Sequence, residues 1–144
     1  MTTVAAVQTR SFGRNVPKGI LAGIVGGIVF GIMMAMMGSL TMIAKMMGSD
    51  SAVVGFAIHL MISSVFGAGY GLIARRASGS VKSSLGLGMA YGLFLWVVGA
   101  LVMMPIMMGM SGMIFHVEGI QLMSLMGHII FGVVTALVFY KLKK

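Results

Sequence analysis

The chain has 144 residues, of which 59% are hydrophobic and 8% charged, with a net charge of +8 and a mean hydropathy of +1.09. Charged residues make up about a quarter of an ordinary soluble domain, so this composition excludes one and places the chain in a bilayer. Cysteine is absent, which excludes disulfides, thiolate ligands and thiol redox chemistry, that of the four-helix quinone-linked disulfide oxidases included.

Residues 1–17 read as a cytoplasmic N-terminal segment. They hold no apolar core of signal-peptide type, so the first span is expected to stay attached. Pro17 suits the first turn of a helix, where its missing N–H is not needed. Four windows, about 20–44, 52–74, 85–110 and 120–140, then reach the roughly 20 helical residues that cross a hydrocarbon core of about 30 Å. The first carries Gly19, Gly23, Gly27, Gly31 and Ala35. A small residue at every fourth position makes a glycine zipper, a face with almost no side chains that admits another helix to backbone contact.

The second window holds His59, with Ser63, Gly67 and Gly71 below it. A shift of 65 positions lays Leu60, Met61, Phe66, Gly67 and Leu72 on Leu125, Met126, Phe131, Gly132 and Leu137, and Gly23, Gly27 and Ala35 on Gly88, Gly92 and Ala100. His59 then stands opposite Ser124, and Ser63 opposite His128. Each half is a helical hairpin that starts on the same side of the membrane, so the two are parallel repeats, not the inverted pair of many transporters. The fold class expected is all-α: a polytopic membrane protein of four transmembrane helices built from two parallel helical-hairpin repeats. Its parts are 18–76 for the first hairpin, 77–84 for a basic cytoplasmic linker and 85–144 for the second hairpin. Gly31 breaks the match by falling opposite Trp96, which either fills a gap left by glycines or walls a cavity. Pro105 interrupts the third window and leaves the carbonyl of Leu101 without its usual donor.

The basic residues alternate by loop. Arg10, Arg14 and Lys18 precede the first span, Arg75, Arg76 and Lys82 separate the second and third, and Lys141, Lys143 and Lys144 follow the fourth. The other two loops hold Lys45 and the only acids, Asp50 and Glu118. By the positive-inside rule both termini are cytoplasmic, in a multi-pass protein of the plasma (inner) membrane. A basic rim facing anionic lipid accounts for the charge, and no recognition element for nucleic acid accompanies it. Ser49 or Asp50 is the expected N-cap of the second helix, and Glu118 that of the fourth.

Methionine is unusually abundant, 18 in all, with thirteen in two blocks: Met33, Met34, Met36, Met37, Met42, Met46 and Met47, then Met103, Met104, Met107, Met108, Met110 and Met113. At about 1.5 Å per residue, His59 and His128 lie roughly 10 to 12 Å below the outer boundary, in the same leaflet as both blocks. Thioethers favour Cu(I), and imidazole suits copper or haem iron. A soft-metal or cofactor site would therefore draw on His59 and His128 with Met34, Met37, Met104 and Met108, and a ligand site on His59, His128, Ser63 and Ser124; the candidates are copper and haem b. The i, i+4 methionines resemble the pairs of eukaryotic-type copper transporters, which however have three spans and a methionine-rich outer tail. The plainer reading is that methionine packs irregular gaps between glycines. For the histidines it is that each imidazole bonds the serine level with it, His59 to Ser124 and His128 to Ser63. His116, beside Met113 and Glu118, reads as solvated, with an entry ligand as its alternative.

An enzyme is not expected, since the spans hold no acid, no paired nucleophile and base, and no phosphate loop. Multidrug exporters of similar size use a membrane-embedded glutamate, absent here, and dual-topology fluoride channels lack so strong a charge bias. Two classes remain. One is a small membrane protein that binds or carries a soft metal ion or cofactor in the outer half of the bundle. The other is an accessory or scaffold subunit, a homo-oligomer or part of a larger membrane complex, with no ligand of its own. The repeated His and Phe-Gly segments within four spans resemble small uncharacterised four-helix membrane proteins of bacteria and archaea. That resemblance implies the shared fold and brings no activity with it.

Overall fold

A computed structural model describes residues 2–77 and 79–144, with side chains for 14–74 and 79–144; the side chains of Arg10, Arg75 and Arg76 lie outside these. The described residues form helices and no strands. Helix α1 (Thr2–Met36) is followed by a short α2 (Leu40–Lys45), then α3 (Ala52–Ala77) and α4 (Val81–Leu95). A π-helical segment, Trp96–Met103, prolongs α4 into α5 (Met104–Met107), and after a 3-10 turn at Ser111–Met113 the chain enters α6 (Gly119–Lys143). Among the described residues four stretches are long and apolar enough to cross a membrane: Arg14–Met36, Ala52–Ala74, Val81–Met107 and Gly119–Lys143. Apolar side chains such as Leu21, Ile32, Met61, Val65, Leu93, Phe94, Leu122 and Met126 line their exposed sides.

Several expected boundaries move. Pro17 lies inside α1 instead of opening it, because its fixed φ is compatible with a helix and it removes only one bond. The first span stops at Met36, well short of residue 44. Gly38 (φ 68°) ends it: Gly38 N–H donates to Ala35 O at 3.1 Å and Ser39 N–H to Met34 O at 2.9 Å. This is a Schellman stop, which needs a left-handed residue and therefore favours glycine. Gly48 (φ 70°) and Gly109 (φ 71°) close α2 and α5 with the same pair of bonds. Residues 40–45, expected as the top of the first span, instead fold over α3, burying Leu40, Ile43 and Ala44. Gly55 makes room for them, since a Cβ there would strike the Leu40 carbonyl.

At the start of α3, Gly55 N–H donates to Ser51 O (3.0 Å), so Ser51 takes the capping position expected of Ser49 or Asp50. Ser49 Oγ accepts from Ser51 N–H (3.2 Å), and Asp50 lies 4.0 Å from Lys45 in an exposed pair. Glu118 stands at the N-cap of α6 as expected. The Leu101 carbonyl, deprived of a donor by Pro105, receives the N–H of Phe115 from the loop between α5 and α6 at 3.2 Å.

The most extensive contacts join α1 to α3 and α4 to α6, followed by α1 to α6, while α3 and α4 touch more sparingly. Lipid tails are as apolar as leucine, so burial alone does not hold such helices together; close packing and hydrogen bonds do. The packing is made by glycines. A Cβ on Gly23 would lie 2.5 Å from Gly67 Cα, and one on Gly27 2.5 Å from Ser63 Cβ. Across the other pair a Cβ on Gly88 would lie 2.6 Å from Gly132 O and 2.7 Å from Ala136 Cβ, and one on Gly132 3.0 Å from Gly92 Cα. In contrast α3 and α4 present tyrosines: Tyr70 packs edge-on to Tyr91 (5.2 Å) and Phe139 (5.7 Å). Tyr91 Oη donates to Phe66 O at 2.7 Å, tying the two hairpins together.

Gly67→Ala should cost about 1–3 kcal/mol, the usual range for overpacking, because the atoms it meets are backbone and the helices must separate. Gly86→Ala meets nothing within 4 Å and should be neutral or stabilising by up to about 1 kcal/mol, the helix preference for Ala over Gly. Unfolding of the two variants in detergent, followed by circular dichroism, checks this order.

Candidate functional site

The two interior histidines belong to one layer with Phe30 at its centre. His59, on α3, is buried, and its Nε2–H donates to Gly27 O on α1 at 3.0 Å. The bond exists because α1 offers no side chain there: a Cβ on Gly31 would stand 3.2 Å from His59 Cδ2 and 2.6 Å from the Phe56 ring. His128, half-buried on α6, keeps to its own helix. Its Nδ1 donates to Ser124 O at 2.8 Å, with Ser124 Oγ 3.3 Å away. That leaves His128 Nε2 as an imine directed at the π-helical segment, 4.0 Å from where a Cβ on Gly99 would lie.

Phe30 separates the imidazoles. Its ring centroid is 5.3 Å from that of His59 and 4.9 Å from that of His128, edge-on to both. It is admitted by Gly127, where a Cβ would fall 2.5 Å from Phe30 Cδ2. The expected His59–Ser124 and His128–Ser63 bonds therefore do not form. With α1 drawn against α3, the Gly27 carbonyl is the nearer acceptor for His59, and Phe30 fills the space across which the rings would have reached. Ser63 is buried against Gly27 instead. With a phenyl ring packed edge-on between the two imidazoles there is no slot for a porphyrin, so haem b held between them does not fit this packing.

Among the candidate thioethers, Met34 packs against the hydrophobic core, and Met37 lies in the turn after α1. Met104 and Met108 open and cap α5. Helices α1 and α5 are not among the extensively packed pairs, and the two methionine pairs stand on and beside these two separate elements. Among the described residues no three of His, Cys, Asp and Glu come together in a metal-binding group. Trp96 is buried and donates Nε1–H to Gln121 O at 2.9 Å.

The residues missing from the sequence reading are Phe30, Gly127 and Tyr91. Phe30 sits between Gly27 and Gly31, on a helix whose glycines draw attention to its bare face. The 65-residue shift offers one trace of Tyr91: it sets Tyr91 opposite Gly26, the same large-for-small exchange as Trp96 opposite Gly31. Comparison with known proteins finds no matching family model, no matching curated relative and no matching solved structure.

Two substitutions separate the parts of the layer. Phe30→Ala should destabilise by about 3–5 kcal/mol, the cost of emptying a core aromatic site. His59→Leu loses one interhelical bond and should cost only about 0.6–1.7 kcal/mol. Unfolding titrations in detergent measure both, and the phenylalanine variant is expected to be the weaker protein.

Proposed function

We propose that this is a non-enzymatic multi-pass protein of the plasma (inner) membrane that acts as an accessory or scaffold subunit, in a homo-oligomer or a larger complex, without a ligand in its core. The observation that carries this reading is the closed His59–Phe30–His128 layer. Both imidazole N–H groups are spent on backbone carbonyls, and a phenyl ring occupies the space between them. The histidines thus act as polar ties, of the kind that hold membrane helices together.

The hairpins are read as parallel repeats because their contacts recur at the same offset. Gly23 meets Gly67 and Gly88 meets Gly132, while Gly27 meets Ser63 and Gly92 meets His128. Where sizes differ they are exchanged between partners: Gly31 receives Phe56, and Trp96 bonds the backbone of Gln121. In this orientation Lys82, Lys141, Lys143 and Lys144 face the cytoplasm and anionic lipid, and residues 108–118 face outward. The resemblance to small four-helix membrane proteins of bacteria and archaea fits the same reading.

A second reading, a soft-cation binder, is favoured by one observation: the His128 Nε2 imine beside a π-helical segment, a backbone form frequent at functional sites.

Protein extracted in mild detergent and examined by absorption spectroscopy, metal analysis and native mass spectrometry should be free of haem and core copper, and assembled with copies of itself or other subunits. Monomers carrying stoichiometric haem, or copper that is lost in His59→Ala/His128→Ala, would reverse the assignment. The absence of cysteine permits a clean topology test. On intact cells an impermeant maleimide should label Ser111→Cys and leave Ser80→Cys unlabelled; the opposite pattern would invert the orientation.

A further inference from the structure

The outer loop between α5 and α6 places three soft donors in sequence: Met110, Met113 and His116. Met113 N–H donates to Met110 O at 2.9 Å, and His116 N–H to Met113 O at 3.0 Å. The chain therefore makes two successive turns of three residues. The first is the 3-10 turn Ser111–Met113, where side chains three apart eclipse. The second is centred on Ile114 (φ −61°, ψ 130°) and Phe115 (φ 60°), which are the dihedrals of a type II β-turn. The ends of such a turn lie within about 7 Å. Met110, Met113 and His116 thus follow one another along one edge of the loop. All three are open to ligand: Met110 is 45% exposed, Met113 36%, and the His116 side chain 51%.

Two features fix this edge. A type II turn favours glycine at its third position, and here a phenylalanine holds the left-handed backbone. It is kept there by donating its N–H to the Leu101 carbonyl that Pro105 leaves free, which pins the loop to the end of the third span. The imidazole is also oriented. His116 Nε2–H donates to Glu118 Oε1 at 2.9 Å, which leaves Nδ1 as the imine. Glu118 is itself set at the N-cap of α6, where its backbone N–H donates to Gln121 Oε1 at 3.1 Å. A carboxylate receiving the distal N–H is the arrangement that fixes and strengthens a metal-ligating imidazole.

We propose that Met110 and Met113, through their thioether sulfurs, and His116, through Nδ1, form a Cu(I) or Ag(I) site at the outer rim. Two neutral soft sulfurs and one imidazole suit a soft monovalent cation and offer little to Ca²⁺ or Mg²⁺, which take oxygen ligands. Glu118 is a positioning residue: it acts through His116. The site lies outside the spans and shares no residue with the His59–Phe30–His128 layer.

The test is a titration of the full-length protein in detergent with Ag(I), and with Cu(I) under ascorbate, read by methyl-13C methionine NMR and by competition with a chromophoric Cu(I) chelator. One ion per chain should bind, with the methyl signals of Met110 and Met113 moving. Met113→Leu keeps the apolar volume and should weaken binding at least tenfold, as should His116→Ala. Glu118→Gln should weaken it about tenfold, the effect of disturbing an outer-sphere partner, whereas a purely structural carboxylate would leave affinity unchanged. His59→Ala/His128→Ala should bind like the unaltered chain. Absence of binding, affinity unchanged in Met110→Leu/Met113→Leu, or binding lost in the interior double variant would overturn the assignment.

Discussion

Backbone-to-backbone contact at glycines governs this structure. Where Gly23 meets Gly67 and Gly88 meets Gly132, even one added carbon would collide with main-chain atoms. In a bilayer apolar burial gives no net drive to pack helix on helix, so the attraction comes from many short contacts and from bonds between polar groups. Close approach supplies both, since a helix carbonyl without a side chain over it becomes reachable. Three interhelical bonds among the described residues accordingly run from aromatic side-chain donors to carbonyl acceptors: His59 to Gly27, Tyr91 to Phe66, and Trp96 to Gln121.

The same constraint separates the two sides of the bundle. Helices α1 and α6 come together through Gly26, which faces Thr135, and Gly127, which takes the ring of Phe30. Helices α3 and α4 meet through Tyr70 and Tyr91 and pack less extensively. Tyr70 and Thr135 stand 65 positions apart, as do Gly26 and Tyr91. Positions 65 apart thus carry a large pair where α3 meets α4 and a small pair where α1 meets α6. The small pair goes with the closer seam, α1 on α6, and the large pair with the sparser one, α3 on α4. Polar chemistry divides in a similar way: the interior imidazoles pack on either side of Phe30, whereas His116 in the loop is oriented and open.

Much of the helical plan was legible because it depends on composition and spacing. Four apolar runs, the small stripe of the first and the donor lost at Pro105 all correspond to features of the folded chain. Helix ends were less so. Residues 40–45 are apolar enough to continue the first span, yet the left-handed turn at Gly38 and the bare surface at Gly55 lay them across α3. The partners of the histidines were not legible either. Register along the chain sets His59 level with Ser124, but depth does not determine which acceptor is nearest; the spacing between helices does, and it follows from Gly27, Gly31 and Gly127 acting together. Phe30 carries no pattern of its own, and its place is defined only by the absence of a side chain on another helix.

Magic-angle-spinning NMR on glycine-labelled protein in lipid bilayers addresses the glycine seams most directly. Cross-peaks between Gly23 and Gly67, and between Gly88 and Gly132, should both appear at the shortest mixing times. A spectrum with only intrahelical glycine contacts, or with one of the two pairs missing, would contradict the proposed packing of both hairpins.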